Sequence, residues 1–288
     1  MFFEFALIGC TASGKSELAW TLASKHNALI LSLDSLCVYK QINIASAKPK
    51  DRGEGYFGLD LLSVDEPFNV ALFFKEYERA KAEALRLHKP LIITGGTSFY
   101  LKALMSGLSK KVPQSKSELS NEAIFALMQS VDKEAKIAKN DSFRLKKWLS
   151  IYEYSKQAPS LFLRQNLQAA PIKELEIFEL VVDKELLRAR IKQRSKAMLK
   201  EGLIEEARGL FKDFDEGLKP LNSIGLKECK AYLKGEIDKS KLESLINTHT
   251  AQLAKRQRTF NKQFSSTKLQ NDEALTHLSE FMQRKAKP

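Results

Sequence analysis

The stretch Phe5-Ala-Leu-Ile-Gly9-Cys-Thr-Ala-Ser-Gly14-Lys15-Ser16-Glu-Leu-Ala-Trp20 lies near the start of this 288-residue chain. Its centre, Gly9-x4-Gly14-Lys15-Ser16, fits the phosphate-binding loop pattern G-x-x-x-x-G-K-[ST]. Residues 2–8 form an apolar run short enough for a buried strand, and residues 17–25 predict the start of a helix. A strand, a glycine-containing loop and a helix in this order predict an α/β domain that binds a phosphorylated ligand.

Each residue type in this loop suits the binding of an anion. Glycines let the backbone approach phosphate oxygens closely, and backbone N–H groups at a helix start point toward the ligand. We expect Lys15 to place its charge on the terminal phosphate and the Ser16 hydroxyl to ligate Mg²⁺. The predicted phosphate-binding residues are Gly9, Cys10, Thr11, Ala12, Ser13, Gly14, Lys15 and Ser16. The pattern leaves open whether the ligand is a nucleotide.

Two further predicted strands end in residues that suit a ligand site. Residues 28–33 form an apolar strand that runs into Asp34, and residues 90–94 form one that runs into Gly95-Gly96-Thr97. Because the carboxyl ends of strands line the crevice of open α/β sheets, we expect Asp34 near the bound phosphates. Asp34 could instead cap the turn that follows it. Residues 35–50 form a long irregular segment, which is typical of a substrate loop.

The remaining pattern predicts an α/β fold with a P-loop NTPase-like parallel sheet, flanked by helices and interrupted by an all-helical insertion. Further strands are predicted at 59–63 and 176–182, and helices at 68–87, 98–108, 203–213, 226–234 and 239–263. Between them, three helices are predicted at 117–130, 132–138 and 141–155, with no strand candidate. We therefore assign 1–110 and 166–288 to the core and 111–165 to the insertion. The tail after Phe264 is weakly patterned until an amphipathic stretch at 273–284.

The charge of the chain indicates a polyanionic partner. Lys and Arg number 47 against 35 Asp and Glu, a net charge of +12, which suits nucleic acid better than a small molecule. A solvated lysine-rich surface is the alternative. Basic residues cluster in the insertion beside Trp148 and two tyrosines, and again at 254–258. Basic and aromatic side chains together can bind an unstacked strand, although these aromatic residues could equally be core.

The cysteines and the lengths of the apolar runs indicate the cellular compartment. The three cysteines are scattered, which indicates neither a disulfide framework nor a zinc cluster and suits a reducing compartment. No apolar run reaches the ~18 residues of a membrane span, and residues 1–4 do not resemble a signal peptide. We expect a cytoplasmic protein without a membrane partner, and a monomer.

Seven motifs in order resemble those of bacterial tRNA dimethylallyltransferases. They are Gly9–Ser16; Asp34-Ser35 with Tyr39 and Ala47-Lys48-Pro49; Gly95-Gly-Thr-Ser-Phe-Tyr-Leu-Lys102; Asn140-Asp-Ser-Phe-Arg144; Arg190-x3-Arg194-x3-Met198; Ile224-Gly-Leu-Lys-Glu228; and Gln252-Leu-Ala-Lys-Arg-Gln257. The sequence departs from the family at Cys10, where Pro is usual, at Ser16 in place of Thr, and at Ala251 and Phe260 in place of Arg and Trp. The family usually has a pair of histidines before the third-strand Asp; this sequence lacks them and has Tyr56 and Phe57 in that stretch.

The resemblance implies a prenyl transfer to RNA. The loop would hold the diphosphate of dimethylallyl diphosphate with Mg²⁺, and the prenyl group would pass to the N6 amine of the adenosine 3′-adjacent to the anticodon. The implied catalytic residues are Asp34 as base, Lys15 and Arg194. The residues implied to bind the anticodon stem-loop are Asp34, Ser35, Leu36, Cys37, Thr97, Arg144, Lys255 and Arg256. A P-loop small-molecule kinase and an RNA-binding module with a vestigial loop are the alternatives.

Overall fold

A six-stranded, wholly parallel sheet forms the centre of the molecule. The computed structural model describes residues 1–50, 53 and 55–287. The strands are β1 (Glu4–Ile8), β2 (Leu29–Ser32), β3 (Tyr56–Phe57), β4 (Leu91–Gly95), β5 (Glu176–Val181) and β6 (Thr267–Gln270), in the spatial order β3-β2-β4-β1-β5-β6. Phe5 to Ile8 are fully buried, which is expected of a parallel strand covered by helices on both faces. The predicted fold class is confirmed.

The register of the sheet brings three loops to one edge. Ile8 lies opposite Gly95, and Ser32 lies opposite Thr94. Strands β1, β2 and β4 therefore end side by side, because they run in the same direction. The phosphate loop, the segment after residue 32 and the glycines after β4 all leave the sheet at this edge.

The helices divide between two compact units. The core unit, Met1–Lys102 and Glu174–Pro288, contains the sheet, and the helical unit is Ala103–Lys173. The helices are α1 (Lys15–His26), α2 (Val70–Arg86), α3 (Ser98–Ser106), α4 (Asn121–Val131), α5 (Ser142–Ser155), α6 (Pro159–Gln165), α7 (Lys184–Lys200), α8 (Leu203–Asp213), α9 (Leu226–Leu233), α10 (Lys239–Asn261) and α11 (Asn271–Ala286). No helix of the described residues is long and apolar enough to cross a membrane.

Among the described residues of the core unit, two large apolar clusters lie beside a smaller one around Ile191. One joins Phe5 and Leu7 of β1 to Leu22 of α1 and Phe281 of α11. Phe5, Phe178 and Phe281 meet edge to face with ring centroids 4.9–5.8 Å apart, a favoured aromatic arrangement. The second cluster packs residues 38–45 against α8, α9 and α10. The segment that follows β2 is therefore part of the packed structure.

The helical unit has a small core of its own. Ile124, Met128 and Leu145 are fully buried in it beside Trp148. The indole Nε1–H of Trp148 donates to Asp132 Oδ2 at 2.9 Å. Trp148 is thus a core residue, which was the alternative to a nucleic-acid contact.

The bounds of this unit differ from the predicted insertion of 111–165. Its ends are joined by a bridge between Ser109 and Leu167 and by a hydrogen bond from Ile172 N to Leu104 O, so the unit extends to 103 and 173. A helix at 132–138 was wrong, because α4 ends where Asp132 leaves helical geometry and turns its carboxylate to Trp148 and Ser160. Helix α6 was not predicted.

Two strands also differ from prediction. The strand expected at 59–63 is wrong; the strand is the short β3, and Gly58 and Asp60 have φ values of 82° and 54°, which interrupt an extended run. Strand β6 was not predicted, because Leu269 is its one buried residue and an edge strand of this kind has little apolar pattern.

Candidate active site

The phosphate loop has the geometry of an anion cradle. Ala12 and Gly14 both have left-handed φ values, 62° and 94°, which curl the backbone ahead of α1. Among the described residues, no acceptor pairs with the backbone N–H groups of Gly14, Lys15 or Ser16. The Ser13 hydroxyl is fully buried in the loop and has no hydrogen-bond partner among those residues either. Unpaired donors at a helix start suit a phosphate.

Lys15 is buried in this loop. Its Nζ donates to the Cys10 carbonyl at 3.1 Å. Burial lowers the pKa of the Lys15 ammonium to about 8, the charge of Arg194 adds to the shift, and the carboxylate of Asp34 opposes it. A cation held without a carboxylate ion pair in a partly desolvated loop is available for an anionic ligand.

Two arginines of α7 face the loop, one helical turn apart. Arg194 Nη1 lies 3.4 Å from Thr11 Oγ1, and Arg190 Nη1 donates to Ser13 O at 2.9 Å. Burial lowers the pKa of Arg194, an effect that Asp34 opposes, and the group stays charged because its ordinary pKa is so high. Arg190 was not among the predicted site residues, although the spacing Arg-x3-Arg indicates a shared face of the helix.

Asp34 lies at the same edge of the sheet, where it caps the following turn and also lines a cavity. Its Oδ1 accepts the N–H of Leu36 at 2.8 Å, so it caps the turn. Oδ2 has no hydrogen bond among the described residues, and the side chain lines a cavity together with Lys15 and Arg194. A carboxylate with one oxygen fixed and the other directed to a cavity is well placed to orient a proton donor.

The cavity has a volume of about 420 Å³, within the range of small-molecule sites. Thr11, Lys15 and Ser16 line it at the phosphate loop. Its apolar lining residues include Tyr39, Phe68, Tyr100, Ile191, Met198, Ile224, Ile246 and Leu253. The cavity therefore offers a charged end and an apolar wall.

Tyr100 is fixed in the apolar wall by two aromatic contacts. Its ring stacks on Phe73 at 4.8 Å and meets Phe68 edge to face at 5.6 Å. Burial raises the pKa of Tyr100 to about 12, with contributions from Tyr39 and Asp34. The phenol remains a neutral hydrogen-bond donor, and sequence patterning did not identify it as a site residue.

Gln257 of α10 joins two of the loops that form the cavity. Its Oε1 accepts the N–H of Thr11 at 2.7 Å, and its Nε2 donates to the Gly96 carbonyl at 2.9 Å. A Cβ at position 96 would collide with this amide, so the glycine after β4 is required by the contact. The sequence contained the residue in a motif without indicating this bridging role.

The segment after β2 is anchored at two points. The Glu206 carboxylate of α8 accepts the N–H groups of Asn43, Ile44 and Ala45 at 2.8–2.9 Å. Lys48 Nζ is buried and contacts the Tyr39 carbonyl and Asp60 Oδ1, each at 2.6 Å. Asp60 is thus engaged by a buried lysine and is not among the residues that line the cavity.

The predicted RNA-binding residues fall into separate groups. Ser35, Leu36, Cys37 and Thr97 line the cavity. Lys255 and Arg256 are exposed on α10 and have no ion pair among the described residues. Arg144 belongs to the helical unit, where it is exposed and pairs with Asp141 at 3.2 Å.

One exposed aromatic residue of the helical unit was missed. Phe143 is 78% exposed, and Lys146 and Lys147 follow it at helical spacing, so the three share one face of α5. Both lysines are exposed and lack an ion pair within the described part of the chain. The sequence analysis had considered Trp148, which is buried, instead of this face.

Ser16 is the one predicted metal ligand. It is exposed at the start of α1 and lines the cavity. No group of three or more His, Cys, Asp or Glu side chains among the described residues could hold a metal. A hydroxyl alone fits Mg²⁺ that takes its other ligands from phosphate oxygens and water, as in other phosphate loops.

Comparison with protein families gives a match over most of the chain. The model of the family described as "IPP transferase" matches residues 37–264, and that described as "Isopentenyl transferase" matches residues 4–54. The chain belongs to the IPP transferase family. The resemblance on which the sequence analysis relied is confirmed.

Named relatives in this family are similar over almost their full length. The tRNA dimethylallyltransferase of Campylobacter jejuni (strain RM1221) is 58% identical over 281 residues, 96% of this chain and 97% of that protein. The enzyme of the same name from Campylobacter lari is 58% identical over 288 residues, 99% of both chains.

Solved structures of the family share the fold. A tRNA delta(2)-isopentenylpyrophosphate transferase from Staphylococcus epidermidis superposes with a TM-score of 0.71 at 25% identity, over 99% of each chain. A eukaryotic dimethylallyltransferase acting on tRNA superposes with a TM-score of 0.74 at 24% identity, over 93% of this chain and 73% of that one.

Proposed function

We propose that this chain is a tRNA dimethylallyltransferase. It transfers the dimethylallyl group of dimethylallyl diphosphate to the N6 amine of the adenosine 3′-adjacent to the anticodon. The observation that carries the proposal is a single cavity with an anion cradle at one end, an apolar wall, and the carboxylate of Asp34 beside it. The named relatives, at 58% identity, support the same assignment.

The cradle acts on the leaving group. As the bond between the allylic carbon and the bridging oxygen breaks, negative charge develops on the diphosphate. The N–H groups of residues 14–16, Lys15 and Arg194 are aimed where that charge forms, and such preorganised charge is a large catalytic contribution. Arg194 suits the task because a guanidinium meets two phosphate oxygens at once. Mg²⁺ held by Ser16 would neutralise further charge on the diphosphate.

Asp34 acts on the nucleophile. The exocyclic amine of adenine is weak, because its lone pair is delocalised into the ring. A hydrogen bond from that amine to Asp34 Oδ2 orients the nitrogen toward the allylic carbon. As the nitrogen–carbon bond forms, Asp34 accepts the amine proton and diphosphate leaves.

The nucleotide must leave its stack to reach this cavity. Thr97 and the residues 35–37 line the cavity and are positioned to contact the displaced adenosine. Lys255 and Arg256 would bind phosphates of the stem-loop. The helical unit adds Arg144 and the face that begins at Phe143, and it has 12 Lys and Arg against 6 Asp and Glu. Half of the net charge of +12 thus lies in this quarter of the chain.

A transfer assay tests the proposal. The protein is incubated with labelled dimethylallyl diphosphate, Mg²⁺ and unmodified tRNA, and label on RNA is measured against a tRNA whose adenosine at that position is replaced by guanosine. We expect label on the first RNA, none on the second, and none without Mg²⁺. Phosphate transfer from ATP to a small molecule, with no label on RNA, would establish a kinase instead. We further propose that the protein acts as a cytoplasmic monomer, which sedimentation and cell fractionation would test.

A further inference from the structure

The last helix of the chain reaches the phosphate loop through one side chain. Asn271 is the first residue of α11, and the donors and acceptors around its side-chain amide assign the amide nitrogen to the side of Ser13 O, at 3.2 Å. Its Oδ1 accepts from Nη1 and Nη2 of Arg190, each at 2.6 Å, and Arg190 Nη1 itself donates to Ser13 O. Two side chains that bind each other therefore hold one carbonyl of the loop.

The orientation of the Ser13 carbonyl fixes the direction of the Gly14 N–H, which is one of the donors of the anion cradle. In a trans peptide, the C=O and the N–H point to opposite sides, and the described residues contain no cis peptide. Because Ser13 C=O is directed at Arg190 and Asn271, the N–H of Gly14 points away from them. Gly14 N–H is one of the donors without an acceptor in the described structure. Glycine permits many orientations of its peptide, so this orientation depends on the external contacts.

We propose that Asn271 is a positioning residue for the diphosphate. Through Arg190, it fixes the Ser13–Gly14 peptide with the Gly14 N–H presented to the anion, before ligand binds. The inference rests on the proposed function only in naming the allylic diphosphate as the physiological anion.

The start of α11 does not need the Asn271 side chain. Gln270 is the N-terminal cap residue, and its backbone N–H is satisfied by Glu273 Oε1 at 3.1 Å. Helix α11 is further held by buried Leu278, Phe281 and Met282. Loss of the Asn271 amide should therefore leave the helix folded and act on the loop.

The test measures binding and turnover in the full chain. For Asn271→Ala, we expect the Kd of inorganic diphosphate, measured by calorimetry, and the KM of dimethylallyl diphosphate to rise together, each on the order of tenfold. The KM of tRNA and the Tm of the ligand-free protein should stay at the wild-type values. Gln283→Ala is the matched control, since it removes an exposed amide from the interior of the same helix and should change none of these quantities.

A second variant shows whether Asn271 acts through Arg190. Arg190→Lys alone should weaken diphosphate binding, and adding Asn271→Ala to it should weaken binding by less than the single change does, because coupled residues are not additive. An unchanged Kd for Asn271→Ala, or full additivity with Arg190→Lys, would overturn the proposal. Binding of inorganic diphosphate does not depend on transfer to RNA, so failure of the proposed function would leave this result interpretable.

Discussion

Lys15 is a cation buried beside a second cation, Arg194, and its pKa of about 8 makes anion binding pH-dependent. Below pH 8 the ammonium is charged, and above it the free protein loses that charge. The last ionisation of a terminal phosphate group in an ester, near pH 6, is largely complete in this range, whereas inorganic diphosphate still titrates above pH 8, so dimethylallyl diphosphate is the ligand for this measurement. We expect the Kd of dimethylallyl diphosphate, without Mg²⁺, to change little from pH 7 to 7.5 and to rise above pH 8 by up to about tenfold per pH unit.

The matched control for this titration is Lys15→Met, which keeps the length of the side chain and removes the proton. Its affinity should be weaker at neutral pH and flat with pH, because Arg194 does not titrate in this range. Calorimetry in buffers of different ionisation enthalpy should show proton uptake by the wild type near pH 8.5. A wild-type affinity that stays constant from pH 7 to 9.5 would contradict this account of Lys15.

Asp34→Asn separates the two roles of this residue. Asn keeps the oxygen that accepts the Leu36 N–H, so the turn should persist, but it cannot accept a proton. We expect turnover to fall on the order of 10²–10⁴-fold while the Kd of dimethylallyl diphosphate stays near the wild-type value. Single-turnover kinetics with tRNA provide the measurement, and Asp65→Asn provides a control, since Asp65 is an exposed carboxylate outside the cavity lining. Near-normal turnover would leave Asp34 as a turn cap only.

At the scale of residues, the sequence analysis found the side chains that belong to a motif. It missed those that support the site through hydrogen bonds to residues distant in sequence. The phosphate loop and Asp34 were predicted because they follow strands or a fixed motif, and Arg194 was predicted from the resemblance to the family. Gln257 and Asn271 were not assigned roles, since they meet Thr11 and Ser13 across 246 and 258 positions of sequence. An amide in a helix has no pattern that reveals such a partner.

Among the elements, the segment 33–50 is anchored to α8 by one carboxylate, that of Glu206. Glu206→Ala would leave three backbone N–H groups without their acceptor. We expect the free energy of unfolding to fall by about 1–3 kcal/mol and the KM of tRNA to rise several-fold, because residues 35–37 lose their support. The Kd of diphosphate should remain close to that of the wild type.

The neighbouring exposed Glu205 supplies the control for this prediction, since Glu205→Ala removes the same charge from the same helix. Its stability and KM should match the wild type. Denaturant titration and steady-state kinetics give the two readouts. If both variants behave alike, the effect is one of charge, and the anchoring role of Glu206 is wrong.

Helices and strands were predictable where burial of one face gives their apolar residues a regular spacing along the sequence. The helices 203–213 and 239–261 match their apolar spacing almost to the residue. Strand β6 was missed because its burial comes from β5, which is distant in sequence, and leaves little local pattern; helix α6 was missed because it has only 7 residues. The error at position 60 was the reverse, because a strand was predicted there and the structure has none. The left-handed backbone of Asp60 interrupts the extended conformation that the apolar run had indicated.

For the whole molecule, the excess of positive charge predicts a salt-dependent affinity for RNA. Lys255→Ala with Arg256→Ala should weaken tRNA binding and reduce the slope of log K against log salt by about 1.5–2, if each side chain neutralises one phosphate. Diphosphate affinity should not change. The salt dependence is measured by fluorescence anisotropy of labelled tRNA.

A control with equal charge loss lies on the same helix. Lys239 and Lys241 are exposed at the start of α10, and their double Ala variant also lowers the net charge by 2. This variant should leave the salt slope near the wild-type value. Equal slopes for the two double variants would show that the charge acts as a diffuse field, with no specific contact at 255 and 256.

The contacts of Gln257 and Asn271 with the phosphate loop also determine when, during translation, the loop gains its support. The ribosome makes residues 9–16 first, and their supports emerge about 250 residues later. At roughly 5–20 residues per second, the loop spends on the order of 12–50 s without them. A nascent chain therefore holds an incomplete cradle throughout its translation, and a chain released early never completes it. The affinity for diphosphate is therefore expected to rise during synthesis and to reach its full value only once α11 has been made, so that shorter nascent chains compete weakly for the prenyl donor.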